Sequence, residues 1–174
     1  MLDELLENNR RFAAEDRGEL PPLPRRGLVV LTCMDHRIDP SRALGLELGD
    51  AMVMRNPGGR VTPGFVRNLS ILDRVAAKAG SGVEQLELVL MQHTECGAGS
   101  LAGADDELLA EHFGIAPDEV AGKSPSNPYA GVRLDIEVLA ADPSVPAPLS
   151  VTGLVYETRT GRVELVERRL REAA

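Results

Sequence analysis

Two short apolar segments that each end in potential metal ligands are the feature that most constrains this chain. The first begins LVVLTC, and its β-branched residues predict a buried strand over about 27–33 that ends at Cys33. The second reads LELVLMQHTEC and predicts a strand over about 85–92 that delivers His93 and Cys96. Because ligand sites in open parallel sheets form beyond the carboxyl ends of the strands, we expect these three side chains to gather there.

Helical and strand patterns alternate along the chain, and the alternation predicts an α/β fold. Strands separated by helices imply a mostly parallel central sheet of about four strands flanked by helices. The run 149–166 predicts a C-terminal antiparallel hairpin that turns at Thr160-Gly161 and adds the last strand. Apolar spacing and capping residues indicate helices over 2–14, after Asp39-Pro40, from Thr62-Pro63 to Gly80, over 105–113 and over 128–141, with a further strand over 51–56.

The length of 174 residues predicts a single domain, 1–174, with a helix and proline-rich arm over 1–26. The apolar side of the first helix can pack on its own domain or on a partner subunit. The segment APDEVAGKSPS (116–126) predicts a surface loop. The charged end ERRLREAA is expected to continue as a helix or to fray.

Composition excludes several classes of function. The formal net charge of −8 argues against a nucleic-acid partner, which requires clustered cations. No apolar segment approaches the ~20 residues that span a bilayer, and no secretory signal is evident, so we expect a cytoplasmic protein with no membrane partner. The chain has two cysteines, and in a reducing compartment such a pair favours metal binding or catalysis over a disulfide.

The chemistry of the two strand ends favours zinc. Cys33, His93 and Cys96 offer two thiolates and an imidazole, and catalytic zinc sites keep three protein ligands and one open position. Asp35 can take the fourth position or stand beside a bound water, and Arg37 can hold that carboxylate by a charge-assisted pair. Each motif alone is a weak signal, but together they use both cysteines at two predicted strand ends.

These motifs resemble those of the β-class carbonic anhydrases. CMDHR and HTEC are similar to the family patterns C-x-D-S/A-R and H-x-x-C, and RNPGG is similar to its RNAGG-type loop. SNPYAGVRLDIEVLAADPSV and the following VTGLVYETRTGRVEL resemble the later helix and last strands of the family. The resemblance spans about Leu2 to Val166 and is closest to the short bacterial members.

The resemblance implies one zinc ion per chain, with Cys33, His93 and Cys96 as ligands and an Asp35-Arg37 dyad beside it. In the family the aspartate either ligates zinc or pairs with the arginine. The implied reaction is the reversible hydration of carbon dioxide to bicarbonate and a proton, in which a zinc hydroxide attacks CO₂. The implied assembly is a homodimer or a dimer of dimers with sites near the interface.

Candidate substrate contacts come from backbone N–H groups. Gly97 follows a ligand and is a candidate donor to the developing oxyanion. Pro57 stands where the family has alanine and removes a donor, so an anion contact there falls to Gly58 or Gly59, although a tight turn is the more common use of such glycines. His36 stands where a small residue is usual, and it is either solvent-facing or a proton shuttle.

Three other functions remain open from the sequence. A relative that hydrolyses a similar small molecule, CS₂ or COS, would carry the same motifs. A non-catalytic zinc- or bicarbonate-binding regulatory protein is a second alternative, although an Asp-Arg dyad has no use in it. In the third, the two cysteines form a disulfide that expels zinc.

Overall fold

The computed structural model describes residues 1–16, 18–78, 86–146 and 149–171. The described strands are β1 (Leu28–Cys33), β2 (Ala51–Asn56), β3 (Leu86–His93), β4 (Leu149–Tyr156) and β5 (Val163–Arg171). The described α-helices are α1 (Leu2–Ala14), α2 (Pro40–Leu44), α3 (Pro63–Lys78), α4 (Asp106–Phe113), α5 (Val120–Lys123) and α6 (Pro128–Ala141). Short 3₁₀ turns occupy Pro57–Gly59, Gly97–Leu101 and Pro117–Glu119.

The five strands form one mixed sheet in the order β2-β1-β3-β4-β5. The first four pair in parallel, and β5 pairs antiparallel with β4. The predicted α/β fold, with a mostly parallel sheet and a C-terminal antiparallel strand, is therefore confirmed. Because β1 and β3 are adjacent and parallel, their carboxyl ends are neighbours, and these are the ends that carry the candidate ligands.

The sheet is covered on both faces, which explains the near-continuous apolar runs of β1 and β3. One face packs against α3 and α6 in a large core that includes Leu31, Leu69, Leu88, Ile136 and Leu139. The smaller core contains both cysteines together with Val30, Ile38, Val89 and Met91. The ligands therefore lie at the edge of a packed apolar layer.

Capping side chains begin the helices where the sequence predicts them. The Asp39 side chain accepts hydrogen bonds from the backbone N–H groups of Ser41 and Arg42 at the start of α2. Asn127 does the same for Ala130 at the start of α6. The predicted stop of α3 at Gly80 lies outside the described residues.

Two local predictions are wrong. The segment 116–126 is not a surface loop, because it forms a 3₁₀ turn and α5, and Val120 is buried beside Leu109 and Phe113 of α4. Nor does the C-terminal segment become a helix, since β5 runs to Arg171 and its Leu170 pairs with Ser150 of β4. In both places long-range packing overrides a weak local pattern.

Among the described residues, α1 adds no buried side chain to either core. None of its residues is buried, and its apolar side exposes Leu2, Leu5, Leu6 and Phe12. Among the described residues, no helix is both long and apolar enough to cross a membrane.

Candidate metal centre

Cys33, His93 and Cys96 meet at the carboxyl edge of the sheet. Cys33 ends β1, His93 ends β3, and Cys96 follows after a two-residue turn. One potential ligand atom from each lies within 4.8 Å of the other two, and the two Sγ atoms are 3.9 Å apart. All three residues are buried, and both cysteines are free thiols.

The imidazole of His93 is oriented to offer one nitrogen to a metal. Its Nδ1 lies 2.8 Å from the carbonyl oxygen of Thr94, and since a carbonyl only accepts, Nδ1 carries the proton. Nε2 is buried and has no hydrogen-bond partner among the described residues. A buried nitrogen lone pair beside two sulfurs fits Zn²⁺, which binds thiolate and imidazole in tetrahedral sites.

The two thiols differ in acidity, since the pKa of Cys33 is lowered and the pKa of Cys96 is raised. The hydrogen bond from the Cys96 thiol lowers the pKa of Cys33, and the backbone N–H groups of Asp35 and Gly58 lower it further. The same contact raises the pKa of Cys96, because it places that thiol beside a negatively charged sulfur. Cys33 is thus the first thiolate, and a bound cation would displace the second proton, as thiol ligands release protons to metals.

Asp35 and Arg37 form a two-point ion pair next to this cluster. Arg37 donates from Nε to one Asp35 oxygen at 3.0 Å and from Nη2 to the other at 2.7 Å, and its backbone N–H adds a third bond at 2.9 Å. These hydrogen bonds hold the pKa of Asp35 well below its usual range, so the carboxylate is ionised. The group of three potential ligands does not include Asp35, whose carboxylate is instead engaged by Arg37.

Glu95, between the two ligands of the second motif, ties the site to the β4-β5 hairpin. It has a φ of 57°, which makes it the one non-glycine residue of the described chain with a positive φ. Its carboxylate accepts from Arg159 at 2.8 and 2.5 Å and from Thr158 at 3.0 Å, and its carbonyl accepts from Arg37 Nη2 at 3.0 Å. The hairpin therefore stabilises the turn that aims Cys96 and supports the guanidinium that holds Asp35.

The predicted glycine contacts lie behind the cluster. Gly58 and Gly59 are buried, and the N–H of Gly58 donates to Cys33. Gly59 packs against the backbone of Thr32 and Cys33. Gly97 is exposed and begins the 3₁₀ turn after Cys96. Contact of these glycines with a substrate stays a prediction.

The two residues that depart from the family pattern have separate surroundings. The side chain of His36 is 94% exposed, and its Nδ1 lies 4.0 Å from Asp35 Oδ1. The carbonyl oxygen of Pro57 lies 3.1 Å from His112 Nε2. Neither residue is among the three clustered ligands.

A buried ion pair supports the loop under Cys33 and was missed by the sequence reasoning. Arg60 and Asp135 are both fully buried, and Arg60 donates to the two Asp135 oxygens at 2.7 and 2.9 Å. Gln92, next to His93, donates to Asp135 at 3.1 Å. The signal was present, because Asp135 shares the buried helix face of Val132 and Ile136, where an unpaired charge would be costly.

Comparisons with known proteins find similar sequences and similar structures. The family model described as carbonic anhydrase matches residues 28–116. The chain is 31% identical over 167 residues to β-carbonic anhydrase 1 of Mycobacterium tuberculosis, covering 94% of this chain and 96% of that protein. It is 28% identical to the carbon disulfide hydrolase of an Acidianus strain, over 79% of this chain and 76% of that one.

Among solved structures, the carbonic anhydrase of Streptococcus mutans superposes with a TM-score of 0.73 at 31% identity. The match covers 95% of this chain and 97% of that one.

Proposed function

Because this chain belongs to the β-carbonic anhydrase family, whose members are enzymes, we propose that it catalyses the reversible hydration of carbon dioxide to bicarbonate and a proton. One observation carries the proposal. The unpartnered Nε2 of His93 lies in a cluster with two thiols, and the nearby ionised Asp35 carboxylate is paired with Arg37. This arrangement matches a catalytic zinc site, which keeps three protein ligands and one open position.

The residues present fit one zinc ion per chain, held by Cys33, His93 and Cys96. When bound, Zn²⁺ would act as a Lewis acid that acidifies water and so supplies the nucleophile. Two thiolates offset more of the charge of the zinc ion than neutral imidazoles do. We therefore expect the water at this site to be mostly deprotonated only toward alkaline pH. The Cys33 thiolate and the His93 lone pair are already set for this ligand role.

Asp35 and Arg37 would orient the reacting water. The Asp35 carboxylate would accept a hydrogen bond from the O–H of this water, because Arg37 occupies only part of its hydrogen-bonding capacity. The two-point pair also keeps Asp35 from closing the fourth ligand position. The pair therefore acts on orientation and access, and Asp35 itself stays ionised.

A hydrolase of carbon disulfide is the second candidate, because a relative of that name is 28% identical to this chain. The two activities share the ligand set and differ in the molecule that reaches it. Assays with CO₂, COS and CS₂ on one zinc-quantified preparation would separate them. Turnover of CO₂ with none of CS₂ supports the first proposal, and the opposite result replaces it with the second.

The metal role is tested by zinc content. We expect about one zinc per chain in the wild-type protein and loss of most of it in Cys96→Ser, measured by elemental analysis. Ser100→Ala is the matched control, since Ser100 lies in the following 3₁₀ turn and bonds only the Gly97 carbonyl among the described residues. Zinc retained at the wild-type level in Cys96→Ser would contradict the ligand assignment.

The assembly and the location also remain proposals. The exposed apolar side of α1 supports a homodimer or a dimer of dimers, because such a face is normally covered. We further propose that 1–174 acts as one cytoplasmic domain with no nucleic-acid or membrane partner.

A further inference from the structure

A second cavity, of about 500 Å³, lies between α3, the end of α4 and the end of α6. None of its lining residues belongs to the candidate metal centre. Its polar lining includes Thr62, Arg67, Ser70, Lys123 and Ser144, and its apolar lining includes Phe113. It is therefore a separate pocket with a cationic and hydroxyl-bearing wall.

Lys123 is the unusual residue in this pocket. It is only 9% exposed, and its ammonium group has no hydrogen bond or ion pair among the described residues. Its backbone carbonyl accepts from Arg60, so the chain at Lys123 is fixed to the buried Arg60-Asp135 pair. An ammonium group on a mostly buried side chain that has no ion-pair partner is less favourable than one in bulk water, and such groups lose their proton more readily.

The charged groups around Lys123 do not supply the missing partner. Asp135 is engaged at both oxygens by Arg60, and Glu119 bonds the N–H of Ala116. Asp142 also lines the pocket, and its carboxylate accepts from Ser144. Burial lowers the pKa of Lys123, and the charge of Arg60 adds to this, while Asp135 and Glu119 oppose it.

We propose that Lys123 Nζ is a site of reversible N-carboxylation by carbon dioxide. The neutral amine donates its lone pair to the carbon of CO₂, a C–N bond forms, and one C=O π bond becomes a C–O⁻. One N–H proton leaves to solvent, so the side chain changes from a neutral amine to a carbamate with one negative charge. No oxidant, metal or further reactant is required.

The surrounding charge favours CO₂ over another electrophile. An amine that is desolvated beside a cation is an activated nucleophile. The carbamate would bring a negative charge into a cavity whose lining includes Arg67, a guanidinium that can stabilise it. An aldehyde would instead form an imine that keeps a positive charge when protonated, which Arg67 disfavours. The product charge therefore selects CO₂.

The composition of the chain makes this site easy to measure. It has 17 arginines but only two lysines, Lys78 and Lys123, so these two supply all of its side-chain amines. Lys78 is exposed at the end of α3 and serves as an internal control. A carbamate on a side chain can therefore be assigned to one of two positions.

The test exposes the full-length, metal-loaded protein to ¹³CO₂, traps carbamates with an alkylating oxonium salt, and maps the adducts by peptide mass spectrometry. We expect several-fold more label on the Lys123 peptide than on the Lys78 peptide, increasing with pH as the amine loses its proton. The ¹³C NMR signal of the carbamate should persist in Lys78→Arg and disappear in Lys123→Arg.

The trapping on the wild-type protein decides the question even if Lys123→Arg folds poorly. No label on Lys123, or label no greater than on Lys78, overturns the proposal. The reaction of the amine with CO₂ does not need turnover at the metal centre. Label on Lys123 without CO₂ hydration would therefore refute the proposed function and leave this inference standing.

Discussion

At the scale of single residues, the proposed mechanism depends most on Arg37. It binds both oxygens of Asp35 and also the carbonyl of Glu95, so it joins the two motifs that carry the ligands. Without it, we expect the ionised Asp35 carboxylate to turn toward the proposed metal position. The proposed chemistry then depends on a residue outside the Cys33-His93-Cys96 cluster.

We predict that Arg37→Ala lowers CO₂ hydration by about 10- to 100-fold while zinc content stays at the wild-type level, because the residue orients a neighbour of the metal and does not bind it. Stopped-flow assays and elemental analysis on one preparation measure both quantities. Arg42→Ala is the control, since Arg42 is exposed and uses only its backbone N–H among the described contacts. Wild-type turnover in Arg37→Ala at every pH would show that the dyad has no role.

The chemical identity of single residues was the most predictable part of the site. Cysteine, histidine and a carboxylate at strand ends suggest a metal by their ligand chemistry alone. The role of Glu95 could not be read in this way, because its partner Arg159 lies 64 residues away on a hairpin. Its positive φ likewise depends on the tertiary contact and cannot be predicted from the residue type.

At the scale of elements, the turn of the β4-β5 hairpin contacts the turn between His93 and Cys96 through Glu95. Arg159 is exposed, so its ion pair with Glu95 adds little to stability, as is usual for surface pairs. The hydrogen bonds from Arg159 and Thr158 also lower the pKa of Glu95, which keeps it charged for this contact. We therefore expect the hairpin to position the turn between His93 and Cys96 more than to stabilise the fold.

We predict that Arg159→Ala lowers kcat roughly fivefold, less than the loss of a group in direct contact with the dyad, and leaves the free energy of unfolding nearly unchanged because the ion pair is exposed. The measurements are steady-state kinetics and urea unfolding. Arg162→Ala, in the same turn but with only backbone bonds among the described contacts, should leave both unchanged. An equal loss of kcat in the two variants would rule out a specific role for Arg159.

The loop after β2 packs too closely on β1 to accept a side chain at Gly59. A Cβ there would lie 2.7 Å from the Cys33 nitrogen, and the φ of 62° already disfavours one. Gly45 has a similar φ of 64° but open space around it. The two glycines therefore separate backbone strain from steric overlap.

We predict that Gly45→Ala costs about 1 kcal/mol of unfolding free energy. Gly59→Ala should cost roughly 2 kcal/mol more, because Cys33 must shift. Thermal and urea unfolding measure the costs, and zinc content should fall only in Gly59→Ala. Equal destabilisation with zinc retained in both would mean that the loop does not position Cys33.

The order and type of the elements were largely predictable because apolar periodicity and caps such as Asp39 and Asn127 act locally. The segment 116–126 was not, since α5 is four residues long and is defined by the burial of Val120 beneath α4. The strand over the C-terminal segment depends on pairing with β4, and its own sequence is charged.

At the scale of the whole molecule, α1 stands out because none of its residues is buried in the described part of the chain. Its exposed leucines are consistent with a helix that packs on a second copy of the chain. We predict that the double variant Leu5→Glu and Leu6→Glu shifts the protein to a smaller species in light scattering coupled to size exclusion. Arg11→Glu makes the same change of net charge on the opposite side of α1 and should leave the size unchanged. If both variants keep the wild-type mass, α1 is not part of the interface.

The measurement that tests the central claim most directly is stopped-flow CO₂ hydration on zinc-quantified protein from neutral to alkaline pH. We predict rapid turnover that rises with pH. The rise does not come from Asp35, because Arg37 keeps its pKa below the usual range and it is ionised throughout. It would come from water that a bound Zn²⁺ acidifies less strongly, because the two thiolates offset the charge of the ion. Stoichiometric zinc with no turnover at any pH would contradict the account.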